Sequence, residues 1–368
     1  MNTESLGVLI EEARERQKAF DEATVKCGII GMSGSGKSSL INAIAGEKIA
    51  PVGSTEQTTE AQSFFHCGIE FVDLPGCGTE RWPQDHYIDA LSLDTYDCFI
   101  IVTSNRLYES DIYLFNQLEV ARQIPCFLVR NKIDLAIADE AHDNQLSEQE
   151  VLDKVRENIS NSIPSQENVI YLTSARHPMK WDLPALINDI SVSQLGVKQD
   201  KFIAGMAIWS ESAIEKKSKV ARQLVSWSAV LSAANGINPI PGTDVVVDAG
   251  ILVNMCRQIN KIFGVTEEQL MYLERSTPTL ADTAEFKSIK QGILMLLVKH
   301  ATAEAILMIL KKMGVKVLLK NSSKLLPFVG TLVSAGIGYK MTASFGDGYL
   351  TEAEEKAQHL LQYVLGEI

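Results

Sequence analysis

Gly31-Met32-Ser33-Gly34-Ser35-Gly36-Lys37-Ser38 stands between two segments of different periodicity. Before it runs Val25–Ile30, apolar, too short for a helix and read as a buried strand. After it, Lys37–Ala45 reads as a helix. A GxxxxGKS stretch in that context predicts a loop that binds phosphate. Glycines let backbone N–H groups turn inward around an anion, and the helix N-terminus adds partial positive charge. Lys37 is expected to reach the β- and γ-phosphates and the Ser38 hydroxyl to ligate Mg²⁺. Gly31, Ser33, Gly34, Ser35, Gly36 and Ser39 complete the expected cradle.

Outward from this loop, strands and helices alternate. Strands are expected at Ser63–Cys67, Ile69–Val72, Cys98–Val102, Cys126–Arg130 and Val169–Thr173. Helices are expected at Tyr87–Leu93, Asp111–Arg122, Ser147–Ser162 and Leu183–Ile190. That order predicts an α/β domain with a doubly wound, mostly parallel sheet over residues 23–195. From 196 to 368 the periodicity is helical, cut into roughly seven helices by breakers such as Gly264, Pro278, Gly314 and Pro327. Residues 4–20 place Leu6, Ile10, Ala13 and Gln17 on one helical face. The second domain is therefore expected to be all-α, built from the N-terminal helix 1–22 and the C-terminal half.

Three further segments carry chemistry. Asp73-Leu74-Pro75-Gly76 ends a strand 36 residues after Lys37. There an Asp can hold a metal-bound water and the Gly76 N–H can sense a γ-phosphate, which makes the following loop a switch. Asn131-Lys132-Ile133-Asp134 follows another strand, and the Asp carboxylate can accept both N1–H and N2–H₂ of guanine. Adenine offers no such donor pair and would leave a polar group unpaired. Thr173-Ser174-Ala175 closes the last strand, where a backbone N–H can meet guanine O6. Together these imply GTP as the ligand and its hydrolysis with Mg²⁺ as the reaction. A threonine from Gly53–Glu60 is needed to complete the Mg²⁺ shell, and Thr58 and Thr59 are the candidates. After Gly76 stands Cys77, where a glutamine would orient the attacking water, so slow turnover by the isolated chain is expected.

The chain has 368 residues and a net charge of −12, a poor balance for a general nucleic-acid binder. Residues 196–368 hold 19 Lys and Arg against 16 Asp and Glu; residues 1–195 hold 15 against 30, so the two parts carry +3 and −15. The six cysteines fall at 27, 67, 77, 98, 126 and 256, with no zinc spacing, and fit a reducing cytosol. The first residues carry acids where a secretory signal needs bases, and lack the Met-Gly of myristoylation. The longest uncharged apolar run, Leu325–Tyr339, is 15 residues and contains Pro327, so no spanning helix is expected. A cytoplasmic protein is the expectation.

GMSGSGKSSLINAIAG, DLPGCGT, DCFIIVTSNRLYESD and LVRNKID together resemble the immunity-related GTPase family, within the Era-like branch of translation-factor-class GTPases. The stretch Asn238–Asp244, running on to Phe263-Gly264, resembles the helical domain that follows Era-like GTP-binding domains. The resemblance implies guanine-nucleotide binding, nucleotide-dependent homodimerisation through the G domains, and work at membranes. It also implies a Glu two residues before the switch threonine, a position Glu56 holds relative to Thr58. Glu56 and Arg106 are candidate contacts across such a dimer. From Lys287 to Lys340 there are nine lysines and one acid, Glu304, interleaved with apolar segments. That composition suits reversible contact with an anionic membrane, and equally the wet face of an ordinary helical domain. An Era-like switch in ribosome assembly is the alternative. It needs an RNA-binding appendage, and the basic stretch has no interleaved aromatics.

Overall fold

The computed structural model describes residues 3–52, 60–163, 169–235, 244–310 and 331–366. It forms two compact units, one of residues 23–210 and one of residues 1–22 with 211–367.

The first unit is built on six strands: β1 (Val25–Ile30), β2 (Gln62–His66), β3 (Ile69–Asp73), β4 (Cys98–Thr103), β5 (Cys126–Arg130) and β6 (Ile170–Leu172). Their order across the sheet is β2-β3-β1-β4-β5-β6. All neighbours are parallel except the β2–β3 hairpin. All six residues of β4 are buried, the continuous apolar run that a parallel strand covered on both faces requires. The hairpin turns at Cys67-Gly68, both at positive φ, so Cys67 belongs to a tight turn and not to the expected strand. The chain leaves β1 towards β3 on one side and later adds β4 on the other. The crevice at the C-terminal end of β1 is thus a topological switch point, where open α/β sheets bind ligands.

Helices of this unit are α2 (Lys37–Ala45), α3 (Gln84–Ala90), α4 (Glu109–Phe115), α5 (Ile133–Asn144), α6 (Glu148–Ser160), α7 (Leu183–Ser193) and α8 (Val197–Gly205). Helix α3 starts after Pro83, earlier than expected, since proline fits the first turn. Helix α4 widens over Asn116–Val120 instead of continuing regularly to Arg122. Helix α6 opens on a capping box, with Ser147 N donating to Glu150 Oε2 at 2.8 Å. Helix α5 has no counterpart in the sequence reading. Only Ile133 of it is fully buried, so it lacks the broad apolar face that periodicity detects.

The unit also extends past the boundary expected at 195. Phe202 of α8 is fully buried, the Ala207 N–H donates to the Ile44 carbonyl at 2.8 Å, and Trp209 Nε1 donates to the Ala43 carbonyl at 2.7 Å. Helical periodicity shows that a segment is a helix, not which core it packs on.

In its described residues the second unit is all-α: α1 (Thr3–Glu22), α9 (Glu211–Asn235), α10 (Asp244–Phe263), α11 (Glu267–Ser276), α12 (Pro278–Ala281), α13 (Ala284–Lys299), α14 (Ala303–Leu310) and α15 (Thr331–Gly366). Helix α1 buries Ile10, Ala13 and Phe20 and sets Phe20 against Trp227 of α9, ring centroids 5.9 Å apart. Helix α15 runs 36 residues and packs along α9. Lys217 is 1% exposed and donates to the Ile262 carbonyl in the last turn of α10 at 2.5 Å, where the helix dipole favours a cation. Among the described residues no single helix is long and apolar enough to cross a membrane; α13 and α14 pass such a test only together, bent by 86°. Of the Asn238–Asp244 stretch, residues 238–243 lie outside the described residues.

Candidate nucleotide-binding site

The loop from β1 to α2 is shaped by two glycines. A Cβ at Gly31 would run into the Val102 carbonyl of the neighbouring strand β4. Gly36, the N-cap of α2, sits at φ 91°, a left-handed conformation that disfavours other residues. Lys37 is 7% exposed and folds back over its own loop, its Nζ donating to the Gly31 carbonyl at 2.9 Å. The same ammonium lies 3.5 Å from Asp73 Oδ1. Asp73 ends β3, paired in register with Ile29 of β1, which is why strand geometry alone brings it beside the loop. The segment after it is pinned at two points: Leu74 N donates to the Ile29 carbonyl at 2.9 Å, and the buried Tyr87 hydroxyl donates to the Pro75 carbonyl at 2.6 Å.

The turn after β5 meets the same loop from the other side. The Asn131 amide nitrogen donates to the carbonyls of Ser35 and Gly36 at 3.1 and 3.4 Å, and its oxygen accepts from the Thr173 hydroxyl at 3.4 Å. Asn131 therefore clamps the phosphate loop to the 131–134 turn, and its amide is spent on that contact. Lys132, at φ 60°, donates from Nζ to the Gly34 carbonyl at 2.7 Å. Asp134 stands half-buried in the first turn of α5. After β6, Ser174 is buried, and its hydroxyl accepts from the Arg176 N–H at 3.3 Å.

These elements enclose a cavity of about 500 Å³. Ser33, Gly34, Gly36, Lys37, Ser38 and Ser39 line one end, with Asp73 beside them. Asn131, Lys132, Asp134, Ser174 and Ala175 line the other. Val52, Leu135 and Arg176 also line it, and the sequence motifs do not contain them. Val52 is placed by Asn42 of α2, whose side chain accepts from Ile49 N and Ala50 N and donates to the Ala50 carbonyl. Leu135 and Arg176 stand next to the motifs in sequence, the one signal that could have found them.

Other expected residues fall elsewhere. Gly31 and Ser35 are buried beneath the loop, and Gly76 is half-buried outside the lining. Cys77 points into the core beneath β3 and α3, and burial, with the Asp111 carboxylate nearby, pushes its thiol up to about 11. It is a neutral thiol and does not line the cavity. Arg106 is exposed, 5.6 Å from the Tyr108 ring, and also outside this lining. Glu56, Thr58 and Thr59 lie outside the described residues.

At the α2 end a helix N-terminus and Lys37 line the cavity with the Asp73 carboxylate beside them; at the α5 end stand Asp134, Lys132 and Arg176. A helix N-terminus at one end and a carboxylate acceptor at the other suit a ligand with phosphates and a donor-bearing base. The Ser38 hydroxyl and the Asp73 carboxylate are hard oxygen donors in one cavity, the donor type Mg²⁺ takes.

The sequence profile of the family described as Interferon-inducible GTPase (IIGP) matches residues 1–362. The chain is 29% identical to Interferon-inducible GTPase 1 of Mus musculus, over 73% of this chain and 68% of that protein. It is 26% identical to Interferon-inducible GTPase 5 of Rattus norvegicus, over 94% and 77%. Among solved structures it is similar to Toc33 from Arabidopsis thaliana in complex with Mg²⁺ and GMPPNP, at 16% identity and TM-score 0.32, over 46% of this chain and 79% of that one. With a match to the family over nearly its whole length and the phosphate-loop lysine in place, the chain belongs to the interferon-inducible, or immunity-related, GTPase family and is a GTP hydrolase.

Proposed function

We propose that the chain binds GTP across this cavity and couples its hydrolysis to pairing of two nucleotide units and to reversible membrane contact. The observation that carries the reading is the convergence of Lys37, Ser38 and Asp73 with Asp134 and Ser174 around one cavity. The N–H groups of the Gly31–Ser38 loop and Lys37 cradle the phosphates. Asp134 accepts the two guanine donors, with Lys132, Ala175 and Leu135 around the base. Ser38, Asp73 and Thr58 or Thr59 would hold Mg²⁺, which would neutralise phosphate charge.

The buried Cys77 leaves the residue after Gly76 unable to orient water at the cavity. A second copy is the proposed source of what is missing, with Glu56 and Arg106 as the contacts. The acidic charge of residues 1–195 opposes that pairing, so dimers should need GTP and gain from salt. GTP turnover per mole of protein should rise from nanomolar to tens of micromolar chain, and Glu56→Ala should flatten the rise. Constant specific activity, with monomers by light scattering in a GTP analogue, contradicts the coupling.

The membrane part rests on exposed Met295, Val298 and Met308 within the 287–340 stretch. Its free charge is smaller than its lysine count, because Lys287, Lys290 and Lys299 lie 3.9, 2.6 and 3.3 Å from Asp282, Glu274 and Glu352. Binding should be weak and salt-sensitive, in a chain that otherwise works in the cytosol. Failure to co-sediment with anionic liposomes at low salt, with any nucleotide, overturns it.

A further inference from the structure

A second cavity, of about 600 Å³, lies beside the first, walled by the turn after β4 and by α5 and α6. Lys132 and Leu135 line both. Its charged lining is Arg106, Arg130, Lys132 and Lys154 against Asp139 and Glu140, a net +2 within a half-chain of −15. Glu140 is already engaged, accepting from Lys154 Nζ at 2.8 Å and from Asn144 Nδ2 at 2.7 Å.

Arg130 is the unusual member. It is the last residue of β5 and only 7% exposed. Its Nη1 donates to the Asn131 carbonyl, its Nε has no hydrogen-bond partner, and it makes no ion pair among the described residues. Burial pulls its pKa below the usual arginine range, yet a guanidinium stays charged at neutral pH. A buried cation without a counter-ion is unfavourable, and a planar fork of donors is shaped for an oxyanion.

We propose that this cavity is an oxyanion site that takes a phosphate group, free or as the monoester of a small molecule, with Arg130 as its buried anchor. The doubly charged group matches the net +2 of the lining. The site is also wired to the turn beside it. The Arg130 carbonyl accepts from Thr173 N at 2.9 Å, and Asn131 next in sequence clamps the phosphate loop. An occupied site should therefore slow release of bound nucleotide, a consequence that rests on the nucleotide assignment of the first cavity.

The test is made without nucleotide, on the full chain carrying Lys37→Ala, which disables the other phosphate-binding loop. Isothermal titration with inorganic phosphate and with glycerol 3-phosphate is compared with sodium chloride at equal ionic strength. One saturable site is expected, and the tighter of the two ligands tells the free ion from the monoester. Arg130→Gln should weaken binding by about tenfold or more, and the exposed Arg106→Gln by about two- to fivefold. If Arg130→Gln does not fold, Arg106→Gln decides. Absence of saturable binding, or affinity untouched by both substitutions, overturns the site and leaves the GTP assignment standing on its own tests.

Discussion

Two sets of buried polar groups, one in each unit, serve opposite ends. In the nucleotide unit Lys37, Asp73, Asn131 and Ser174 are all under 10% exposed, and all line one cavity. In the helical unit Lys217, Asn260 and His300 are as deeply buried and close on protein partners: the Ile262 carbonyl, the Tyr349 hydroxyl and the Leu296 carbonyl. Buried polarity that converges on a space marks a ligand site; buried polarity closed on itself fixes helix packing.

The sharpest break between the two roles is a pair of lysines. Lys37→Ala should lower GTP turnover by about 10²–10³-fold, since no other base sits in the phosphate loop, and lower stability less than Lys217→Ala, because the cavity lets water reach the Gly31 carbonyl and Asp73 that it leaves behind. Lys217→Ala should do the reverse. It leaves the Ile262 carbonyl without its donor and opens a cavity, at about 2–4 kcal/mol in chemical denaturation, with kcat unchanged. Equal effects of both on stability would erase the distinction.

Tyr87→Phe tests an intermediate case, a core side chain that holds the site. Losing its hydrogen bond to the Pro75 carbonyl should cost about 1 kcal/mol and lower kcat a few-fold with little change in KM. A loss of stability alone would make Tyr87 a packing residue.

The smallest expected effect is a pH dependence in the helical unit. His300 packs against Tyr349, ring centroids 4.6 Å apart, and burial lowers its pKa. The unfolded chain then binds the proton more readily than the native one, so stability is full above about pH 6.5 and falls as pH drops below it. Thermal melts between pH 7.5 and 5.5 should show a slope that His300→Phe reduces; an identical slope removes His300 as its source.

The sequence revealed what depends on spacing. The segments Val25–Ile30, Lys37–Ala45 and Cys126–Arg130 have the bounds expected of them, because a short apolar run beside glycine, or a helix between two glycines, has few readings. It hid what depends on partners. Helix α5 is too polar to show a face, α8 carries no sign of which core it joins, and nothing in the spacing shows that Asn131 binds the phosphate loop. Arg130 gave no signal, since its meaning comes from a cavity formed by α5 and α6.

The central claim is that Asp134, at the α5 end of the first cavity, selects guanine. Competition binding of GTP, ATP and XTP to the unmodified chain and to Asp134→Asn tests it most directly. The unmodified chain should prefer GTP, and the substitution should weaken GTP by about 10²-fold or more, roughly 2.7 kcal/mol, while shifting preference towards XTP. Equal affinity of the unmodified chain for GTP and ATP would contradict the assignment.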